Sequence, residues 1–209
     1  MTLTKPIFYS LAGDSEETFE LYEKLVSLIR KEFPDQQCEF LGDPLEGYSE
    51  MRLAEKPKHD YTPGARTFFR WGLFYEFNAT ILKRAFDAGV DIVLVRRFGF
   101  DLHMGAVAYN PCPDSLEIHQ ANIPYGVLRL GLCPPVYVFT DEIDDKLREG
   151  VVQYFGLSDD MHRLKTGQAA TGQYFPRQLK HSLSISEKAR AIVDMIRNEL
   201  CERKKAAAA

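Results

Sequence analysis

Apolar and polar positions follow one another along the first 42 residues in the pattern of a strand, a helix and a second strand. The run "KPIFYSLAG" (5–13) is almost continuously apolar, which predicts a buried strand. Residues 15–33, "SEETFELYEKLVSLIRKEF", carry apolar side chains three or four positions apart, the spacing of one helical face. Pro34 cannot continue that helix. A short strand, "CEFLG" (38–42), follows.

The middle of the chain repeats the alternation. Residues 43–65 are polar and proline-bearing, and predict a short helix and a loop. Residues 66–88, "RTFFRWGLFYEFNATILKRAFDA", form the longest helical pattern, with Gly89 as its C-terminal cap. The run "VDIVLV" (90–95) is nearly all apolar and β-branched, as in a central parallel strand covered on both faces.

The second half of the chain predicts further elements of the same kind. We expect a loop and short helix in 96–110 and a strand within 127–140. We also expect a helix over 141–155, with acidic residues in its first turn. Residues 158–178 are polar and glycine-bearing, and predict a mobile lid. The run "LKHSLSIS" predicts a weak last strand, and a final helix follows with Ser186 as its N-cap.

This order of elements predicts an α/β fold of three layers, α/β/α, around a parallel sheet of about five strands. Ligands of such sheets bind beyond the carboxyl ends of the strands. The loops after the first, third and fourth strands are therefore the expected place for chemistry. We predict a single domain over 1–205 and a tail over 206–209.

Composition narrows the classes of partner. The 209 residues are 45% hydrophobic and 27% charged, which suits one globular domain with a substantial core. With a net charge of −4, we expect no nucleic-acid partner, and no apolar run reaches the roughly 20 residues that span a bilayer, so we expect no membrane partner. The start "MTLTKP" lacks a secretory pattern, and the four cysteines lack C-x-x-C spacing. These features predict a cytoplasmic protein without structural zinc or disulfides.

Four phrases of the sequence resemble the thymidylate kinase family of P-loop nucleoside monophosphate kinases. The stretch "IFYSLAGDSEETF" lies where that family has a strand, G-x-x-x-x-G-K-[ST] and a helix. The stretch "GLFYEFNATILKRAFDAGVDIVLVRRF" is similar to its L-F-A-x-x-R helix and following D-R strand end. The triplet "AYN" echoes its A-Y-Q, and "GVLRLGLCPPVYVFTDEIDDKLRE" is similar to its strand ending in L-D-V with the E-x-A-x-x-R helix. The resemblance covers nearly the whole chain and implies a P-loop kinase-like fold.

Within this resemblance, the phosphate-binding (Walker A) loop departs from the family pattern. Leu11 and Glu16 stand where the family has glycines, Glu17 stands where it has lysine, and Thr18 keeps the hydroxyl that would bind Mg²⁺. Two like charges about 4 Å apart repel by roughly 4 kcal/mol at an effective dielectric constant near 20. The resemblance therefore implies a degenerate loop that does not hold ATP in the usual pose.

The same residues have an ordinary explanation as a helix start. Asp14 or Ser15 can cap the helix, and the carboxylates of Glu16 and Glu17 are favourable at its positive end. A helix that begins in this way needs no ligand.

A second candidate site follows the central strand. The resemblance aligns Arg97 with the family's arginine on the monophosphate and replaces the preceding aspartate by Arg96. The two arginines either form salt bridges to neighbouring acids or clamp a phosphate. Because their strand neighbours the first strand in this fold, we expect them to neutralise the acidic loop. Tyr109 and Asn110 match the A-Y-Q triplet, but an inserted turn, "GFDLHMG", separates them from Arg97.

The third candidate site lies on the long helix. Phe74 matches the family's phenylalanine that stacks on thymine, and Asn78 stands where the family has an arginine four residues later. Arg70 lies one turn before Phe74, from where it could reach a phosphate near Arg97. Aromatic residues at this spacing are more often part of a helix that faces the core than a platform for a base.

Three functions remain open. The first is a pseudoenzyme that binds a nucleotide or another phosphorylated small molecule near Arg97, with no metal and no catalytic residue. The second is an active kinase of altered design, which would require Mg²⁺ and ATP, with cations from the lid. The third is a non-catalytic scaffold or regulatory protein. The resemblance also makes a homodimer an expected assembly, which the 14 Phe and 10 Tyr residues allow.

Overall fold

The computed structural model describes residues 6–13, 15–42, 63–96, 136–139 and 177–208. The strands are β1 (Ile7–Ala12), β2 (Cys38–Leu41), β3 (Ile92–Arg96), β4 (Val136–Phe139) and β5 (Arg177–Gln178). The helices are α1 (Glu16–Glu32), α2 (Pro63–Phe77), a π-helical turn (Asn78–Leu82), α3 (Lys83–Asp87) and α4 (Ile185–Ala208).

The strands pair in parallel in the order β2-β3-β1-β4-β5. The central strand β1 lies between β3 and β4, and Tyr9 is opposite both Leu94 and Val136. Parallel neighbours need a crossover connection, which α2, the π-helical turn and α3 supply between β2 and β3. The predicted α/β class, a parallel sheet with helices, is confirmed.

Side-chain alternation along β1 divides the core between the two faces of the sheet. Ile7, Tyr9 and Leu11 point to one face, where they pack with buried apolar residues of α1 and α4. The ring of Phe8, which points to the other face, meets Phe86 of α3 edge to face, with centroids 5.7 Å apart. Helices therefore contact β1 from both sides.

The predicted first and longest helices are found, with one difference in the longer one. Helix α1 begins one residue after the predicted start and ends before Pro34. The long pattern starts at Pro63 and is interrupted by the π-helical turn before α3. Gly89 has a φ of 71°, and its N–H donates to the carbonyl of Phe86, as expected of the C-terminal cap.

The predictions for the last strand and the last N-cap are wrong. Strand β5 comprises Arg177–Gln178, upstream of the predicted run and at the end of the predicted lid. The residues that follow form a turn, with the N–H of Leu183 donating to the carbonyl of Lys180. The N-cap of α4 is Ser184, whose Oγ accepts from the N–H of Glu187 at 3.3 Å. Ser184 is the cap because Glu187 lies three residues later, where its Oε2 accepts a hydrogen bond from the backbone N–H of Ser184 at 2.8 Å. This second hydrogen bond completes a capping box.

Several predicted features fall outside the described residues. These are the short helix and loop up to residue 62, the loop and short helix over 97–110 with Arg97, Tyr109 and Asn110, the helix over 141–155, and the lid up to residue 176. Helix α4 continues to Ala208, through most of the predicted tail. In the part of the chain that the structure describes, no helix is long and apolar enough to cross a membrane.

Candidate functional site

The connection from β1 to α1 is short, and a serine caps the helix that follows it. Residues 13–15 separate the strand from the helix. Gly13 has a φ of 134°, a conformation that glycine adopts without the strain of a Cβ atom. Ser15 is extended, with φ −73° and ψ 156°, and its Oγ accepts from the N–H of Thr18 at 3.2 Å. One of the two caps expected from the sequence is therefore confirmed as the N-cap of α1.

Thr18 is part of this cap. Its hydroxyl lies 3.0 Å from Ser15 Oγ, and the residue is only 1% exposed. The resemblance assigns this hydroxyl to Mg²⁺. In the structure it is hydrogen-bonded within the first turn of the helix and shielded from water.

Glu17, in the same turn, forms an ion pair with Lys188 of α4. The Lys188 Nζ donates to Glu17 Oε1. The Lys188 side chain is 0% exposed, whereas that of Glu17 is 33% exposed. A buried ammonium is costly unless an anion and hydrogen bonds compensate it. Glu17 therefore supplies charge that Lys188 requires.

Sequence reasoning missed Lys188, although a signal was present. Lys188 lies four residues before Ile192 and next to Ala189, on the face of α4 that packs into the core. A lysine on an otherwise apolar helical stripe requires a buried anionic partner. The apolar stripe of α4 can be recognised in the sequence, but the sequence does not show that the anionic partner lies on α1.

Arg96 and Arg97 were expected to neutralise the acidic loop, but Glu17 pairs with a different cation. Its cation comes from α4, because Lys188 of that helix packs beside the first turn of α1. Arg96 is 9% exposed and paired in register with Leu11. Its guanidinium carbon lies 4.6 Å from the centroid of the Phe19 ring, in a cation–π arrangement.

Tyr22, one turn after Phe19, is affected by the same arginine. Burial raises the pKa of its phenol to about 12, with a further increase from Glu23, while the charges of Arg96 and Arg30 act in the opposite direction. Tyr22 is 7% exposed. Its phenol therefore stays protonated at neutral pH and acts here as a buried, uncharged group.

The residues of the long helix lie deep in the protein. Phe74 is 1% exposed and Asn78 is 0% exposed, which favours the interpretation that this helix faces the core. Asn78 is the first residue of the π-helical turn. Such a turn is often found at functional sites, because it shifts the direction of the side chains that follow. Arg70 lies within α2, one turn before Phe74.

The described part of the chain contains no group of histidine, cysteine or carboxylate side chains that could hold a metal ion. The fold brings a small group of polar and aromatic side chains together at the carboxyl edge of β1 and β3. They are Ser15, Glu17, Thr18, Phe19 and Arg96, together with Lys188 from α4. A fixed cation and its anion lie at this edge, which is where a P-loop protein would hold phosphates.

Comparison with solved structures identifies the architecture. The thymidylate kinase from Ehrlichia chaffeensis matches with a TM-score of 0.59 and 12% sequence identity, over 93% of this chain and 100% of that one. This chain has a thymidylate kinase-like fold. No family model and no curated protein matches the sequence. At 12% identity the likeness concerns the fold, and it confirms the fold that the four phrases implied.

Proposed function

We propose that this thymidylate kinase-like protein is not an ATP-dependent kinase, and that it binds a nucleotide or another phosphorylated small molecule beside Arg97. The observation that carries the proposal is the ion pair between Glu17 and the fully buried Lys188 at the start of α1. On this proposal, the Walker A loop is degenerate, and a side chain of the protein has taken the place of the triphosphate.

The electrostatics support this proposal. A polyphosphate that approached the first turn of α1 would meet the carboxylates of Glu16 and Glu17. The latter carboxylate could not leave without separating from Lys188, which is 0% exposed. Breaking a buried pair costs about 3 kcal/mol or more. The hydroxyl of Thr18 is likewise already engaged, at 3.0 Å from Ser15. We therefore assign no catalytic residue, and no Mg²⁺ or ATP, to this loop.

The arginines at the end of β3 support the proposed phosphorylated ligand. Arg96 ends β3 at the carboxyl edge of the sheet, next to the last residues of β1. Arg97 follows directly and occupies the position of the family's monophosphate-binding arginine. A guanidinium at this edge suits the bidentate recognition of a phosphate. We assign Arg70 and Tyr109 to the remainder of this ligand site; Phe74 and Asn78, which the family pattern would add, are 1% and 0% exposed, and we propose that they pack in the core behind it.

A non-catalytic scaffold or regulatory protein is the second candidate function. One observation favours it: Arg96 is 9% exposed and stacked on Phe19, so this arginine serves the packing of α1 on the sheet. With either function we propose one cytoplasmic domain over 1–205, of three layers and about five strands, that can assemble as a homodimer.

A thermal-shift screen separates these functions. The panel comprises Mg-ATP, nucleoside monophosphates and sugar phosphates, because a ligand that binds only the folded state raises the melting temperature. We expect a shift with a monophosphate and none with Mg-ATP. The Arg97→Gln variant should lose the shift, whereas Arg190→Gln, at a 55% exposed arginine of α4, should keep it. No shift with any compound would select the scaffold, and release of ADP would overturn the proposal.

A further inference from the structure

Strand β2 forms an open edge of the sheet, because it pairs with β3 on one side only. The N–H of Ile92 donates to the carbonyl of Gln37 at 3.1 Å, so the backbone groups of Gln37 point toward β3. Backbone groups alternate in direction along a strand, so those of Glu39 also point toward β3, and those of Cys38 and Phe40 point away from it. Within the described ranges, no hydrogen bond reaches these outward groups. Such a row of donors and acceptors is a template for another strand.

The side chains along this edge differ between the two faces of the sheet. Cys38 and Phe40 are partly buried against the apolar core that α1 and α4 share, and the guanidinium carbon of Arg30 lies 5.1 Å from the centroid of the Phe40 ring. Glu39 points to the opposite face, because successive side chains of a strand alternate. It is half-buried, and its carboxylate forms no ion pair in the part of the chain that the structure describes. A strand that docked here would place a side chain directly beside this carboxylate.

Charge selects the occupant of this edge. Side chains directly opposite one another in an antiparallel pair lie about 5 Å apart, and like charges there are destabilising. A second copy that paired through the outward groups of Cys38 and Phe40 would place two Glu39 carboxylates opposite each other. A segment with lysine or arginine at that position gains a pair of opposite charges instead. The residues on either side of it would lie beside Cys38 and Phe40, where apolar side chains fit.

We propose that β2 binds an extended segment of a partner protein as an added antiparallel strand, with a lysine or arginine of that segment beside Glu39 and an apolar residue on each side of it. The backbone groups of Cys38 and Phe40 supply the hydrogen bonds, and Glu39 selects the basic residue. This interaction surface goes beyond the proposed function and does not require a bound phosphorylated ligand.

Titration with a blocked peptide, S-T-V-K-V-T-S, followed by NMR spectroscopy, tests the charge selection. We expect a dissociation constant of about 1 mM or tighter. The peptide S-T-V-E-V-T-S should bind more weakly by a factor of about five or more, because it places a second carboxylate beside Glu39. Glu39→Lys should reverse this preference. The matched control is Glu23→Lys, at an exposed glutamate of α1, which should keep it.

A pair of substitutions at Cys38 tests the backbone hydrogen bonds. Cys38→Pro removes one outward N–H, and proline is tolerated at the first residue of a strand, where no ladder bond is lost. Cys38→Ala removes the same thiol but keeps the N–H. Cys38→Pro should weaken binding of the lysine peptide by a factor of about five. Cys38→Ala should bind it as the wild type does.

Several results would overturn the inference. Two of them are equal binding of the lysine and glutamate peptides by the wild type, and no binding of either. A third is equal binding of the lysine peptide by folded Cys38→Pro and Cys38→Ala proteins. If Cys38→Pro does not fold, the wild type is titrated with the lysine peptide N-methylated at both valines, whose N–H groups face β2 in the antiparallel pair, and unchanged binding overturns the inference. A wild-type dimer in sedimentation that Cys38→Pro dissociates would assign the edge to a second copy and so overturn it as well.

Discussion

At the residue scale, the pair of Glu17 and Lys188 links the first and last helices. The two residues are 171 positions apart in the sequence, and the lysine is fully buried. Buried charges are retained where they are paired, and removal of one partner costs more than replacement of both. Because Lys188 is 0% exposed and Glu17 is 33% exposed, removal of the carboxylate should cost more stability than removal of the ammonium.

A double-mutant cycle measures this inequality. Glu17→Gln removes a charge partner from a buried ammonium and should lower the free energy of unfolding by about 3 kcal/mol. Lys188→Met places an apolar side chain of similar length in the core and should cost about 1 kcal/mol, since Glu17 can turn to water. The double variant should be about as stable as Lys188→Met. Additive losses in urea unfolding would show that the two residues are not coupled.

Glu17→Lys places a lysine in the first turn of α1, and it should destabilise the protein. It places a second ammonium beside Lys188, which is 0% exposed, so attraction becomes repulsion. We expect a melting temperature lower by several degrees, and a smaller change for Glu16→Lys in the same turn. An unchanged melting temperature for Glu17→Lys would refute the internal pairing.

Tyr22 gives a prediction in alkali. Its pKa is raised to about 12, so the folded state holds the phenolic proton more tightly than the unfolded state does. The stability linked to that proton is fully present below about pH 10 and is lost as the pH rises toward 12. Between about pH 9 and about pH 11 the wild type should lose about 1 kcal/mol more than Tyr22→Phe does. Equal losses in urea unfolding would mean that Tyr22 titrates normally.

At the element scale, the start of α4 shows how local chemistry chooses a helix end. Ser184 and Glu187 exchange hydrogen bonds, with Ser184 Oγ and backbone N–H both donating to Glu187 Oε2 at 2.7 and 2.8 Å. These bonds lower the pKa of Glu187. Their contribution is present at neutral pH and is lost as the pH falls below 4.5, the ordinary value for this carboxyl.

Two serines near this helix start form a matched test. Ser184→Ala removes the N-cap and should lower the free energy of unfolding by about 1 kcal/mol. Ser186→Ala lies inside the first turn, where alanine is a good helix former, so the change should stay within about 0.5 kcal/mol. The difference between the two variants should shrink in acid as Glu187 is protonated. Equal effects of both substitutions would contradict the observed cap.

How far the sequence predicts an element depends on how local its determinants are. The start of α1 was predictable, because Ser15 and the two glutamates that follow stabilise it within one turn. The last strand was misplaced, because β5 has only two residues and is defined by pairing with β4. The π-helical turn at Asn78 was not predictable from periodicity, since one irregular turn hardly changes the apolar stripe.

At the scale of the whole molecule, the parallel sheet brings distant residues to one edge. Leu11 and Arg96 lie side by side because β1 and β3 are neighbours in the sheet order β2-β3-β1-β4-β5. The alternation of strands and helices along the chain indicates a parallel sheet, although it does not determine this order. The fold class could therefore be predicted from apolar periodicity. Lys188 could not be assigned to the site, because nothing local indicates that α4 packs beside the start of α1.

The most direct test of the central claim is a calorimetric titration of the wild-type protein with Mg-ATP. Because the Glu17–Lys188 pair occupies the start of α1, we predict a dissociation constant weaker than about 1 mM, that is, less than about 4 kcal/mol of binding free energy. A dissociation constant in the micromolar range, with a triphosphate held at residues 11–18, would contradict the claim.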